Sequence, residues 1–83
     1  MAAPKFVYLL STFEYLFSID EDHLDSIRVF SAAHLARTYL RRKAIDNGWE
    51  IDEVIVSDDI REYTVKESPF TFVLERVPLD EEY

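Results

Sequence analysis

The segment Lys5–Phe17 most constrains the fold, because it reads KFVYLLSTFEYLF and is apolar at both odd and even positions. In an extended chain one face would carry Phe6, Tyr8 and Leu10, and the other would carry Val7, Leu9 and Phe13. A strand with two apolar faces is typical of a sheet interior, so we predict a central strand here. A helix over Tyr8–Phe17 is the alternative, since a short apolar run fits both structures.

The clearest helical pattern lies in Phe30–Gly48, FSAAHLARTYLRRKAIDNG. Its apolar residues recur at helical spacing and form one face. Ser31 has the side chain of a good N-cap, and Gly48 can adopt the left-handed conformation that ends a helix. We therefore predict an amphipathic helix of about residues 31–46.

Three further segments predict strands. The polar run Ser18–Asp25 predicts a loop, and Ser26–Phe30 predicts a short strand that forms an antiparallel hairpin with the first one. Trp49–Val56 predicts another strand, and Arg61–Val77 predicts a closing hairpin with its turn near Ser68. The predicted class is α+β, a four- to five-stranded, mostly antiparallel sheet with the helix packed on one face.

Length and composition predict one domain over residues 1–83, because 83 residues leave no room for a second core. The acidic tail, about residues 79–83, is expected to fray. There is no cysteine for disulfides, which fits a reducing compartment, and no apolar run approaches a membrane span. We therefore expect a cytoplasmic protein without membrane contacts.

The predicted helix holds four of the nine basic residues, Arg37, Arg41, Arg42 and Lys43. Cations near the end of a helix complement its dipole, and these side chains can also pair with acids on neighbouring strands. A functional alternative is a basic stripe that binds phosphate or nucleic acid, formed by His34, Arg37, Arg41 and Arg42. The net charge of −8 opposes nucleic-acid binding, so nucleic acid is not the expected partner.

The acidic residues occur in blocks along the chain. They can serve solubility alone, or they can converge into a negative surface that binds the basic surface of a larger protein. The residues predicted for such a surface are Asp20, Glu21, Asp22, Asp25, Asp52, Glu53, Asp58, Asp59 and Glu62.

The sequence offers no catalytic or metal-binding motif. It has no cysteine, no glycine-flanked serine, no phosphate-binding glycine loop and no histidine pair at metal spacing. A calcium loop starting at Asp20 would need Gly and Glu where the chain has Asp25 and Ser31. We therefore predict no catalytic residue, no cofactor and no enzyme activity.

The order of the segments KFVYLLSTFEY, IRVFS, SAAHLARTYL and WEIDEVIV resembles small acidic accessory proteins encoded by bacteriophages and prophages. These include anti-CRISPR and anti-restriction inhibitors of bacterial defence. The resemblance covers Lys5–Val56. It implies a non-enzymatic protein of the host-cell cytoplasm that occupies a surface of a larger machine.

Together these observations favour an inhibitor or adaptor that binds a nucleic-acid-handling or defence complex through acidic loops. The alternative is a small adaptor or homodimer that uses an apolar patch or an exposed sheet edge. Tyr15, Phe17 and Tyr63 would be suitable anchors for such an interface, if they are exposed. A nucleic-acid binder that uses the basic stripe is the third hypothesis.

Overall fold

The structure, a computed structural model, describes residues 5–79. The elements are β1 (Phe6–Leu16), β2 (Glu21–Phe30), α1 (Ala33–Asn47), β3 (Ile51–Ile55), β4 (Ile60–Val65) and β5 (Phe70–Pro78). The five strands form one sheet in the order β2-β1-β5-β4-β3, and every neighbouring pair is antiparallel. The predicted α+β class is confirmed. Most of the predicted frayed tail, residues 80–83, lies outside the described residues.

The predicted strand at the start of the chain is confirmed, and the alternative helix over Tyr8–Phe17 is wrong. β1 lies between β2 and β5, as expected for a strand with two apolar faces. It pairs with the whole length of β5, from Phe6 opposite Pro78 to Glu14 opposite Phe70. This pairing joins the β1–β2 hairpin to the β3–β4–β5 meander.

The predicted loop over Ser18–Asp25 is wrong, because β2 already begins at Glu21. The turn occupies only residues 17–20, and Asp20 there has a positive φ of 54°. Asp25 is an extra residue in β2, since Ser26 opposes Thr12 while Leu24 opposes Phe13. Residues 21–29 are all exposed, so this edge strand has no buried face to give it an alternating sequence.

The predicted Ser31 cap is also wrong, although the predicted helix itself is confirmed. Ser31 and Ala32 form the bend that leaves β2, so helical geometry starts only at Ala33, and Ala32 is an extended N-cap without a side-chain hydrogen bond. The helix ends as predicted at Gly48, whose φ of 68° is left-handed. Among the described residues no helix is long and apolar enough to cross a membrane.

The core lies between α1 and one face of the sheet. Ala36 and Phe72 have no exposed surface, and the small Ala36 side chain allows the helix to approach the sheet closely. The buried apolar residues are Leu10, Ala36, Leu40, Tyr63, Val65, Phe72 and Leu74. The molecule measures 49 × 28 × 20 Å, and its shortest dimension corresponds to one sheet layer and one helix layer of about 10 Å each.

Candidate functional site

The sheet has a second face, which points away from α1. Because Leu10 and Phe72 lie in the core, the alternation of side chains along each strand assigns their neighbours Leu9 and Val73 to the opposite side. Residues that lie opposite each other on paired strands share a face, so Val29 of β2, opposite Leu9, is on this side as well. We call this side the open face; its apolar residues on the three longest strands include Val7, Leu9, Phe13, Ile27, Val29 and Val73.

Within residues 5–79 no element packs on the open face. Ile27 is 52% exposed, Val29 is 63% exposed, and Val54 at the other edge is 51% exposed. Leu9 and Val73 on the inner strands are half-buried by their neighbours within the sheet. Several exposed apolar side chains on one uncovered face of a sheet are typical of a protein interface.

The charged residues that the five strands place on the open face are acidic. Glu62 of β4 and Glu75 of β5 lie near its middle and are half-buried, while Asp22 and Asp52 lie towards its edges. The arginines of the five strands, Arg28, Arg61 and Arg76, all point to the side of α1. The same register places the acids Glu14 and Glu53 on the side of α1, so that face carries charges of both signs, whereas the strands place only acids on the open face.

The predicted acidic surface is divided between two distant places. Asp20, Glu21, Asp22 and Asp25 belong to the β1–β2 turn and to β2, which is one edge of the sheet. Asp58 and Asp59 follow β3, which is the other edge, and the antiparallel order places their loop at the opposite end of the strands. The structure does not bring these two blocks together.

Two of the predicted acids already have partners within the protein. Glu53 accepts a hydrogen bond of 2.6 Å from the Tyr63 hydroxyl. Asp59 Oδ1 accepts hydrogen bonds from Arg76 Nε at 2.9 Å and Nη2 at 2.6 Å. Of the remaining predicted acids, Asp22, Asp52 and Glu62 share the open face.

The basic stripe is exposed along α1, since His34, Arg37, Arg41 and Arg42 are all accessible. The last turn of the helix contains no basic residue, so the dipole explanation for the cluster does not hold. Arg37 and Arg41 line a cleft of about 270 Å³ between α1 and the β3–β4 hairpin, but His34 and Arg42 do not. Only two of the four residues of the stripe therefore belong to the cleft.

Tyr63 is a buried polar residue that lines this cleft, so it does not meet the condition of exposure under which it would anchor an interface. Burial, followed by the hydrogen bond and the negative charge of Glu53, raises the pKa of the Tyr63 hydroxyl. The Arg37 guanidinium beside it acts in the opposite direction. Tyr15 is half-buried, and Phe17, whose ring meets it edge-on at 4.8 Å, is 80% exposed at the hairpin turn.

Sequence reasoning missed the open face and its central residue Glu75. The signal was present in the sequence, because a strand with two apolar faces was combined with a single predicted helix. One helix covers only one face of a sheet, so the second face had to remain exposed or bind another molecule.

Comparisons with protein-family models, with curated proteins and with solved structures found no match. Residues 5–79 contain no cluster of three or more His, Asp or Glu side chains placed to hold a metal ion.

Proposed function

We propose that the protein is a non-enzymatic binding module whose open face docks on another protein. The observation that supports this proposal is the uncovered apolar side of the sheet, where Ile27, Val29 and Val54 are each more than half exposed. The partner surface is largely apolar and carries Lys or Arg side chains near its middle that meet Glu62 and Glu75.

The size of the open face supports a stable interface. β1, β2 and β5 contain 11, 10 and 9 residues, and β3 and β4 contain five and six. With a rise of about 3.3 Å per residue and a spacing of about 4.8 Å between strands, the sheet presents a flat area of roughly 600 Å². A standard protein interface buries about 800 Å² of accessible surface per partner, which side chains on this area can supply.

The charge of the open face favours a different protein over a second copy of the chain. Two copies packed face to face would enclose Glu62 and Glu75 of both molecules, and the strands provide no basic residue on this face to pair with them. Buried unpaired carboxylates are strongly unfavourable. With a basic partner, Glu62 and Glu75 form favourable contacts with Lys or Arg side chains instead.

A nucleic-acid-handling complex of a bacterial host is the class of partner that we propose, in agreement with the resemblance to phage-encoded inhibitors. Surfaces that bind nucleic acid are rich in Lys and Arg. On this proposal the acids of the open face contribute to binding together with apolar contacts, rather than through loops alone.

The test is to capture proteins from a bacterial lysate with the tagged chain and to measure the affinity of each purified candidate by calorimetry. The double variant Ile27→Lys/Val29→Lys should weaken binding about 100-fold, because it places two charges in an apolar interface. The matched control Ile45→Lys changes a residue of α1 that is 72% exposed, and it should bind like the wild type. Glu75→Lys should weaken binding about tenfold and reduce its dependence on salt.

Two results would contradict the proposal. One is that no captured protein distinguishes the wild type from Ile27→Lys/Val29→Lys. The other is that Asp58→Lys/Asp59→Lys abolishes binding while the open-face variant retains it, which would support the acidic loops instead. Sedimentation equilibrium of the purified chain tests whether the partner is a second copy. If the wild type is a dimer and Ile27→Lys/Val29→Lys is a monomer, the open face binds a second copy of the chain.

A further inference from the structure

The cleft between α1 and the β3–β4 hairpin has the composition of a small-molecule site, and it lies on the side of the sheet opposite the proposed interface. Its apolar surface comes from α1 and from the segment that enters β3, namely Leu40, Ala44, Trp49 and Ile51. The polar lining consists of Arg37 and Arg41 from α1 and of Glu53 and Tyr63 from the β3–β4 hairpin.

Two arginines and one carboxylate, Glu53, line the cleft, so Glu53 offsets only one of the two positive charges. It accepts the hydroxyl hydrogen of Tyr63 at 2.6 Å, and neither arginine forms an ion pair with any of residues 5–79. Arg41 also has no hydrogen bond within the described part of the chain. In a protein with a net charge of −8, exposed arginines beside an apolar surface are positioned to bind an anion from outside.

In a second cavity nearby, by contrast, two of the arginines already have partners within the protein. It measures about 190 Å³ and is lined by Arg37, Arg61 and Arg76. Arg76 is held by Asp59, and Arg61 donates to the Ser57 and Ile60 carbonyl oxygens. These two guanidinium groups are already occupied, so the available donors belong to the first cleft.

We propose that the cleft lined by Arg37, Arg41 and Trp49 binds a small organic anion, which has one flat apolar ring and one phosphate or carboxylate group. The acid group meets the guanidinium of Arg41, and the ring packs against Trp49 and Leu40. The volume of about 270 Å³ lies just below the range of about 300 to 1,000 Å³ for drug-sized ligands, which suits a single ring better than a nucleotide.

The test uses the indole N–H signal of Trp49 in the NMR spectrum, because this is the only tryptophan of the chain and it lines the cleft. Phenyl phosphate and benzoate are titrated separately, and their relative affinity distinguishes a phosphate from a carboxylate ligand. Inorganic phosphate and benzyl alcohol are the controls that lack the ring or the charge. At least one aromatic anion should shift the Trp49 signal to saturation and bind about tenfold more tightly than either control.

Arg41→Gln should weaken the binding of that anion about tenfold or more, because a charge-assisted hydrogen bond is lost. Arg42→Gln is the matched control, since the neighbouring arginine is exposed on the same helix but does not line the cleft. Both substitutions replace exposed residues, so thermal unfolding should stay unchanged. The proposal is overturned if neither anion saturates the Trp49 signal, if benzyl alcohol or inorganic phosphate binds equally well, or if both variants behave like the wild type.

Discussion

The two faces of the sheet are built from the same strands, yet one is covered in the folded molecule and the other is exposed. On the covered face Leu10 and Phe72 are almost completely buried under α1. On the open face the adjacent residues Leu9 and Val73 are similarly apolar but only half-buried. This difference shows that the sheet has more apolar surface than one helix can cover, and that the uncovered apolar surface lies on one side.

The largest expected effect comes from comparing adjacent residues of β5 on the two faces. Phe72→Ala should reduce the free energy of unfolding by about 3 to 5 kcal/mol, because it leaves a cavity in the core. Val73→Ala should reduce it by about 1 kcal/mol or less, because Val73 has no layer above it. Urea denaturation of both variants measures the two changes.

Two outcomes of this experiment would contradict the difference between the covered face and the open face. Equal losses for the two variants would show that the open face is covered in the isolated protein. A loss for Val73→Ala that grows with protein concentration would show that a second copy provides the cover.

An intermediate effect is expected at Tyr63 on the covered face, whose hydroxyl donates a hydrogen bond to the Glu53 carboxylate. Tyr63→Phe should reduce stability by about 1 kcal/mol near neutral pH, because the bond to Glu53 is lost. The pKa of Tyr63 is raised in the folded protein, so its contribution is present below the ordinary tyrosine pKa of about 10 and is lost as the pH rises through the folded value.

The pH dependence of this pair is measured by urea denaturation of the wild type and Tyr63→Phe at about pH 9 and about pH 11. The stability advantage of the wild type should shrink at the higher pH. The other tyrosines are common to both proteins and cancel in the difference. An advantage that stays constant between the two pH values would mean that the Tyr63 hydroxyl does not titrate differently on folding.

The smallest effect is expected in the loop between β3 and β4, at the border of the two faces. Asp59→Asn should reduce stability by about 0.5 kcal/mol, because the ion pair with Arg76 is exposed. Asp58→Asn is the matched control, since Asp58 has no ion pair within residues 5–79, and it should leave stability unchanged. Thermal unfolding at low salt and at about 1 M salt tests this difference, which should vanish when charges are screened. A larger loss at Asp58 would mean that the loop is held by contacts of that residue instead.

Sequence reasoning reached the class of fold because its strongest signals are local. The apolar run of β1, the helical spacing in α1 and the left-handed Gly48 each depend on neighbouring residues alone. It failed for Glu21–Asp25, because an edge strand that is exposed on both sides has the composition of a loop. The candidate surface required knowledge of the strand order, which decides where Glu62 and Glu75 lie and which acids remain apart.

The pairing of β1 with β5 has a consequence for the synthesis of the chain. β2 is made directly after β1, but the other neighbour of β1 is β5, which leaves the ribosome after the other four described strands. Until Phe70–Pro78 has emerged, β1 exposes a complete row of unpaired backbone groups. Such long-range pairing slows folding, and an unpaired strand edge promotes aggregation. Chains that stop before β5 are therefore expected to aggregate instead of forming a smaller stable sheet.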